Sequence, residues 1–554
     1  MTETARPIPL PPDFPVAWER PEEAFSFWER ETSHYPGQTP MLDWSLAAHC
    51  ITPGFNAGCE MYSMPVRNSA LRFNTFVYQS ISPVSHDHAE LEALGRKAQE
   101  LLGAAIGPQT VRWEGERLPE IKELLARWRD FDLEAASDAD LVTHFHNTLE
   151  WEERAWHIHF YTVFPMLVSM SLFDDFYSEL LGGDDAYAAF RLLQGQDNMS
   201  LVTDRALYAL SRRARASSEV MRVLETSAPG EVVAELGASD DGRAVLAQFD
   251  AFLEEHAHRS STFLNVSAPS WIEDPTPLIA SLQDAVTQPE RDPAGELAEL
   301  AGGRERLTDD ARARLAGFPE AVRGQFEFLL SAARQGTVMQ EDHNFWIDTQ
   351  VTYEVRQVVL ELDRRLTANG GLDTPGDVFH LRVEELGDLS ADVRGIVVER
   401  KAELEAFSRV SAPPVIGTLP PGPPPDDPVS RAVTKMFGGH PRVSASPDVF
   451  FGMPGSPGVA RGRVRVLRSL ADGDALVHGE ILVAETTAPP WTPLFARAGA
   501  IVTDAGGILS HCAVVAREYE IPAVVGTKQA TAVLRDGQLV EVDGTNGSVR
   551  IVEA

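Results

Sequence analysis

The stretch Ala498–Gly526, AGAIVTDAGGILSHCAVVAREYEIPAVVG, carries a β-type apolar run, a Gly506-Gly507 turn, a Ser510 cap, a helix-patterned run opening at His511 and a second β-type run. The glycines permit a sharp strand-to-helix turn. Ser510 is expected to accept a hydrogen bond from the first free helical N–H groups. The remaining N–H groups and the helix dipole then favour an anion at this end of the helix. A histidine placed there can act as a nucleophile whose phosphorylated form is held by backbone donors. With an ordinary pKa of about 6.5, its imidazole is partly neutral near pH 7. The same residues also suit a histidine that only packs or caps at the junction, and the local pattern leaves both readings open.

Working outward, short β-type runs surround this stretch: GRVRVL, EILVAE, and the pair QLVEVD and SVRIV on either side of the turn residues Gly544 to Gly547. Helical runs lie around WTPLFARA and SHCAVVAREYE. Residues 446–554 therefore predict a small β/β/α domain. Before it, SAPPVIGTLPPGPPPDDPVS is dense in proline and predicts an extended, semi-rigid spacer within a linker at 411–445. Residues 1–410 show 3.6-residue periodicity, as in IKELLARWRDFDLEAA and RAVLAQFDAFLEEHAHR, and predict a large, mostly α-helical domain. The fold class expected is multi-domain, α followed by α/β.

Composition narrows the partners. With 48 basic against 82 acidic residues the formal charge is −34, which repels nucleic-acid backbones and anionic lipid surfaces. No nucleic acid and no membrane are expected. The most apolar stretch, AWHIHFYTVFPMLVSMSLF, holds two histidines and a proline and stops short of the ~20 apolar residues of a membrane span. MTETARPIPLPPDF lacks a signal-peptide apolar run, and Cys50, Cys59 and Cys512 are too scattered for a disulfide or zinc framework. A cytoplasmic location is expected.

The segment Gly-Gly-x-x-Ser-His with Cys512-Ala513, then AVVARE and IPAVVG, resembles the phosphorylated-histidine signature of the mobile, swivelling domain of PEP-utilising enzymes. That family includes phosphoenolpyruvate synthase, pyruvate phosphate dikinase and rifampicin phosphotransferase. ILVAETTAPPWTPLFARAGAIVTD resembles the family's Thr-x-Pro-x-Trp loop through Thr487, Pro489 and Trp491, although Ala488 or Pro490 stands where the loop often carries an acidic residue. FGMPGSPGVARGRVRVL and EVDGTNGSVRIV resemble the opening and closing of the domain.

Upstream, PGQTPMLDWSLAAH and GGLDTPGDVFHLRVEEL resemble the acceptor domain of rifampicin phosphotransferase. The resemblance implies a phosphotransferase component. In it His511 carries the phosphoryl group to the hydroxyl of a small organic acceptor, Ser510 and the turn at Gly506 and Gly507 hold the phosphoryl, and Arg517 helps neutralise it. Thr487 and Trp491 line the site. No ATP-grasp pattern and no PEP-binding barrel are found, an arrangement similar to that of phenylphosphate synthase. ATP, with Mg2+, is therefore expected to act indirectly through a separate ATP-grasp subunit, with no cofactor evident in the chain. Competing readings reuse His511 as acid or base in a lyase or dehydratase, or make the chain a phosphorylated regulator.

Candidate residues also lie in the helical part. In QEDHNFWIDTQVTYEVRQVVLELDRRL, His343 shares a stripe with Ile347, Val351, Val355, Val358, Leu362 and Leu366, and could deprotonate an acceptor hydroxyl. A hydrogen-bonded interior histidine is the commoner reading, because buried polar groups are usually just satisfied. In HFHNTLEWEERAWHIHF, His146, Glu150, Glu153 and His157 share one helix face and are candidates for a polar substrate pocket or part of a metal site, or for ordinary boundary polarity. SHDHAE at Ser85 to Glu90 predicts a helix start, and Trp44, Trp156, Trp271 and Trp346 predict either an aromatic pocket or core.

Overall fold

The computed structural model describes residues 6–553 except 183–184, 186, 261, 263, 288–289, 411, 421–427, 440–443, 445, 447 and 488–490. Two compact units emerge. One comprises Met1–Pro165, Leu264–Ser267 and Trp346–Asp426; the other comprises Met166–Phe263, Ala268–Phe345 and Asp427–Ala554. They divide the chain elsewhere than at the expected boundaries of 410 and 446.

The first unit holds a five-stranded antiparallel sheet absent from the helical expectation, in the order Arg6–Pro7, Val415–Leu419, Phe27–Arg30, Phe76–Pro83, Val66–Phe73. A two-residue turn, Asn74 and Thr75, both with positive φ, closes the hairpin. Strand Val415–Leu419 falls inside the segment expected to be a spacer. Val415 and Ile416 are β-branched and suit a strand, whereas the prolines lie on either side of it. Ile416 packs, wholly buried, against Phe14, Trp28 and Tyr78. In the same unit the stripe Val351, Val355, Val358, Leu362 and Leu366 is buried as its periodicity predicts. Asp363 beneath it accepts hydrogen bonds from the N–H groups of Gly376 (2.7 Å) and Val378 (3.2 Å), fixing the GDVFHL turn.

The helix Asp138–Leu181 contains Pro165. A proline has no N–H, so the carbonyl of Tyr161 loses its partner one turn on. The hydroxyl of Tyr62 donates to that carbonyl instead, at 2.7 Å.

The second unit joins helices Met199–Ala214, Ser218–Thr226, Asp240–His256, Thr276–Thr287, Pro293–Arg314 and Glu320–His343 to an eight-stranded sheet. Its centre is parallel: Val459–Leu467, Ile481–Ala484, Ala500–Thr503 and Ala523–Val525. Antiparallel strands flank it, including the hairpin Leu539–Asp543 with Ser548–Glu553 at the turn the sequence marks. This is the β/β/α architecture expected. Strand Ile481–Ala484 is buried on both faces, which explains its unbroken apolar run. Ile481 and Val483 enter a core with Val502, Val524 and Val542. Leu482 and Ala484 enter another core that includes Cys512, Ala513 and Ala516 of the His511 helix and continues into Trp271, Phe249 and Leu224. Among the described residues no helix is long and apolar enough to cross a membrane.

If Val415–Leu419 is a structural strand, Ile416→Ala lowers the unfolding free energy by about 2–5 kcal/mol, as for deletion of a buried aliphatic side chain. In a solvated spacer the same change costs nothing measurable. Urea unfolding followed by tryptophan fluorescence separates the two outcomes.

Candidate functional site

The loop between strand Ala500–Thr503 and helix His511–Glu518 is shaped from outside its own sheet. Gly506 has φ +96, open to glycine and strained for other residues. Gly507 approaches the end of helix Pro428–Phe437 so closely that a Cβ there would stand 2.2 Å from the carbonyl oxygen of Lys435. Its N–H donates to the carbonyl of Met436, and that of Leu509 to Lys435, both at 2.8 Å. Helix Pro428–Phe437 lies within the segment expected to be a linker, and the Lys435 ammonium anchors it. That ammonium donates to Asp174 (2.5 Å), Asp175 (2.7 Å) and the carbonyl of Ser171 (3.2 Å). From the opposite side, Gln340 donates to the carbonyl of Leu509 at 3.2 Å.

His511 opens its helix as the sequence predicts. Nε2 lies 3.4 Å from the Thr492 hydroxyl, the Phe495 ring centroid is 6.0 Å away, and Nδ1 is buried with no hydrogen-bond partner among the described residues. Burial pushes the imidazole pKa down to about 3, and the positive charge of Arg259 acts in the same direction. Among the described residues nothing accepts from the N–H groups of His511, Cys512 or Ala513, so this helix end offers three backbone donors.

Two expected roles change. Ser510 does not accept a capping bond; its hydroxyl donates to the carbonyl of Gly507 at 2.7 Å, tightening the turn. Arg517 does not turn toward the phosphoryl position. Its guanidinium is buried, donates to the carbonyls of Gly455 (2.8 Å) and Ile508 (2.9 Å), and stacks over Phe190 at 4.7 Å. Six residues after His511, it leaves the opposite side of the helix and serves the loop as an anchor. Thr487 is buried beside the Cys512 thiol, and buried Trp491 caps helix Thr492–Phe495. Pro489, with Ala488 and Pro490, lies outside the described residues.

The cation that does act on His511 is Arg259, which sequence reading missed. It is 3% exposed, and burial brings its pKa down to about 10 while Glu341 holds it up. Its Nη2 donates to the Ser200 hydroxyl at 3.4 Å, and Ser200 in turn donates to Glu341 at 2.5 Å. Burial raises the Glu341 carboxyl above its ordinary range. His343, at the end of the same helix, is buried, with Nδ1 donating to the carbonyl of Met339 at 2.5 Å.

The His146, Glu150, Glu153 and His157 face is turned largely toward solvent. His146 and Glu150 are exposed, Glu153 and His157 half-buried, and the last two lie 3.6 Å apart as a surface pair. The inward face of that helix carries His144, Glu152 and His159 instead. His159 Nδ1 pairs with the wholly buried Asp348 at 2.7 Å, and His144 stacks on Phe131 at 3.8 Å. Among the tryptophans, Trp156 and Trp271 are core, and Lys122 lies over the Trp346 ring at 4.6 Å. SHDHAE starts helix His88–Ala105, with Asp87 accepting from the N–H of Ala89.

These features define a class. Residues 476–547 match the PEP-utilising enzyme mobile domain, and residues 158–341 match the rifampicin phosphotransferase fourth domain, so the chain combines the two. Over its whole length it is 39% identical to chondramide synthase cmdD of Chondromyces crocatus, covering 14% of that protein. It is 29% identical to the uncharacterized phosphotransferase YvkC of Bacillus subtilis over 72% of the chain and 47% of that relative. Rifampicin phosphotransferase of Streptomyces sviceus is 29% identical over 68% of the chain, which covers 42% of it. The chain thus spans less than half the length of these curated relatives.

A ring held neutral binds fewer protons than the unfolded chain between pH about 3 and about 6.5. Its contribution to stability is therefore complete above pH about 6.5 and is lost as pH falls toward 3. Correspondingly, the 13C-labelled imidazole resonance of His511, assigned by its loss in His511→Asn, stays at its neutral shift down to pH 5. A midpoint near 6.5 would show that the ring is solvated.

Proposed function

We propose that this chain is the acceptor-side part of a phosphotransferase, with phospho-His511 delivering its phosphoryl group to the hydroxyl of a small organic molecule. The observation that carries this reading is a desolvated, neutral imidazole at a helix N-terminus, facing the cation of a neighbouring helical region. Next to it lies a cavity of about 860 Å3, lined by Ser200, Phe252, Arg259, Trp271 and Thr492 among others. That volume suits a drug-sized molecule, and the wall pairs apolar side chains such as Phe252 and Trp271 with many charged ones, among them Arg259, Arg304 and Glu518. The acceptor hydroxyl attacks phosphorus, the P–Nε2 bond breaks as the P–O bond forms, and the hydroxyl proton ends on the imidazole. Glu341, whose carboxyl burial raises and which accepts from Ser200 on the cavity wall, is the proposed group to take up that proton on the way. The relatives named as rifampicin phosphotransferases support the reaction class.

A ring with a pKa near 3 is a poor general base at pH 7, which disfavours a lyase or dehydratase working through His511. ATP and Mg2+ belong to the charging half of the cycle. Among the described residues, the charged group that acts on His511 is the Arg259 guanidinium, beside the backbone N–H groups of its helix, whereas Mg2+ takes about six oxygen ligands in octahedral geometry. This site fits the phosphoryl group rather than the nucleotide, and an ATP-grasp unit outside these 554 residues is the proposed source of the charge. Three free, buried cysteines fit a cytoplasmic setting for that cycle.

Incubated with ATP and its cognate ATP-grasp partner, the protein gains one acid-labile phosphate by intact mass, and His511→Ala gains none. Equal labelling of the variant would remove His511 as the carrier.

A further inference from the structure

Resting on the carrier reading above, we propose that Arg259 and the N–H groups opening helix His511–Glu518 together form the binding site of the phosphoryl dianion on His511. The site comes from two distant parts of the chain and closes only where both are in place.

Arg259 is held rigidly at the backbone. Its carbonyl accepts from the N–H of Trp271 at 2.8 Å, that of Ala257 accepts from Ile272 at 3.2 Å, and Ser260 bridges to Ser270. Its side chain is the opposite case. A guanidinium has five N–H donors in a fixed fork, yet among the described residues its hydrogen bond is the long one to Ser200, and Nε is buried without a partner. Buried polar groups are almost always satisfied, so an under-bonded cation at 3% exposure points to a missing anion. Nearby Glu341 balances the charge in part but is itself bonded to Ser200.

The other side of the gap is equally under-bonded. Among the described residues His511 has Nδ1 buried and unpartnered, and nothing accepts from the first three helical N–H groups. Thr492, which touches Nε2, lines the same cavity as Arg259. With the ring uncharged, Arg259 and His511 sit together only at the cost of desolvating both. A phosphoryl group on Nε2 brings two negative charges and three acceptor oxygens, matching a guanidinium fork bidentately and leaving one oxygen for the helix donors. The same contacts persist as the group passes to an acceptor oxygen, so Arg259 stabilises the charge throughout the transfer.

The test uses phosphoramidate, a small chemical donor of phosphoryl groups to imidazoles, on the purified full chain. The parent should acquire an acid-labile phosphate at His511. Arg259→Ala should label about 10- to 100-fold more slowly, as expected for loss of charge-assisted hydrogen bonds. Arg259→Lys should recover part of the rate, and free guanidinium at millimolar concentration should restore labelling of Arg259→Ala but not of His511→Asn. Equal labelling rates and phosphate lifetimes in the parent and Arg259→Ala would overturn the site while leaving His511 as carrier. A loss that neither lysine nor guanidinium restores would also overturn it, by marking a folding role. A parent that never labels at His511 would remove the carrier reading and this site with it.

Discussion

The backbone contact between the Gly507 loop and the last carbonyls of helix Pro428–Phe437 fixes the position of His511, and most of the site depends on it. Two N–H groups reach two carbonyls at 2.8 Å, a geometry available only because position 507 carries no Cβ. The helix that offers those carbonyls is held in turn by one ammonium shared between Asp174 and Asp175. Gln340 and Arg517 brace the loop from two further directions. The imidazole therefore rests on backbone and ion-pair contacts that make no use of its ring nitrogens, of which Nε2 meets the Thr492 hydroxyl.

The electrostatics follow from that placement. Bringing an imidazole and a guanidinium together without water disfavours a proton on the ring and leaves the guanidinium short of acceptors. Both problems have one remedy, an anion between them. A protein built only for stability would replace such a pair with apolar side chains, and strain of this kind concentrates at functional sites.

The sequence made the C-terminal domain legible because its signals are local: glycine punctuation, a serine before a helical run, and turn residues between two β-type runs. Elsewhere the deciding forces are non-local. Arg259 stands in AHRSS with nothing beside it to mark it, and only the packing of two distant segments gives it a role. The ladder from His146 to His157 was ambiguous by periodicity, which identifies residues that share a face but not which face meets the core; Glu–His pairs spaced by four are ordinary surface features. Proline density hid the strand Val415–Leu419, since its partners lie near the other end of the chain. The hairpin at Asn74-Thr75 lacks the glycine that usually announces such a turn.

Pro165 and Tyr62 illustrate a different kind of dependence. The proline deletes a donor inside a long helix, and the tyrosine hydroxyl, from far earlier in the sequence, satisfies the carbonyl left over. The two positions are consequently bound together in evolutionary time. A lineage that abandons the proline regains the N–H and releases position 62 to drift. One that first abandons the hydroxyl strands a carbonyl inside the protein, so the order in which the two changes accumulate is itself constrained.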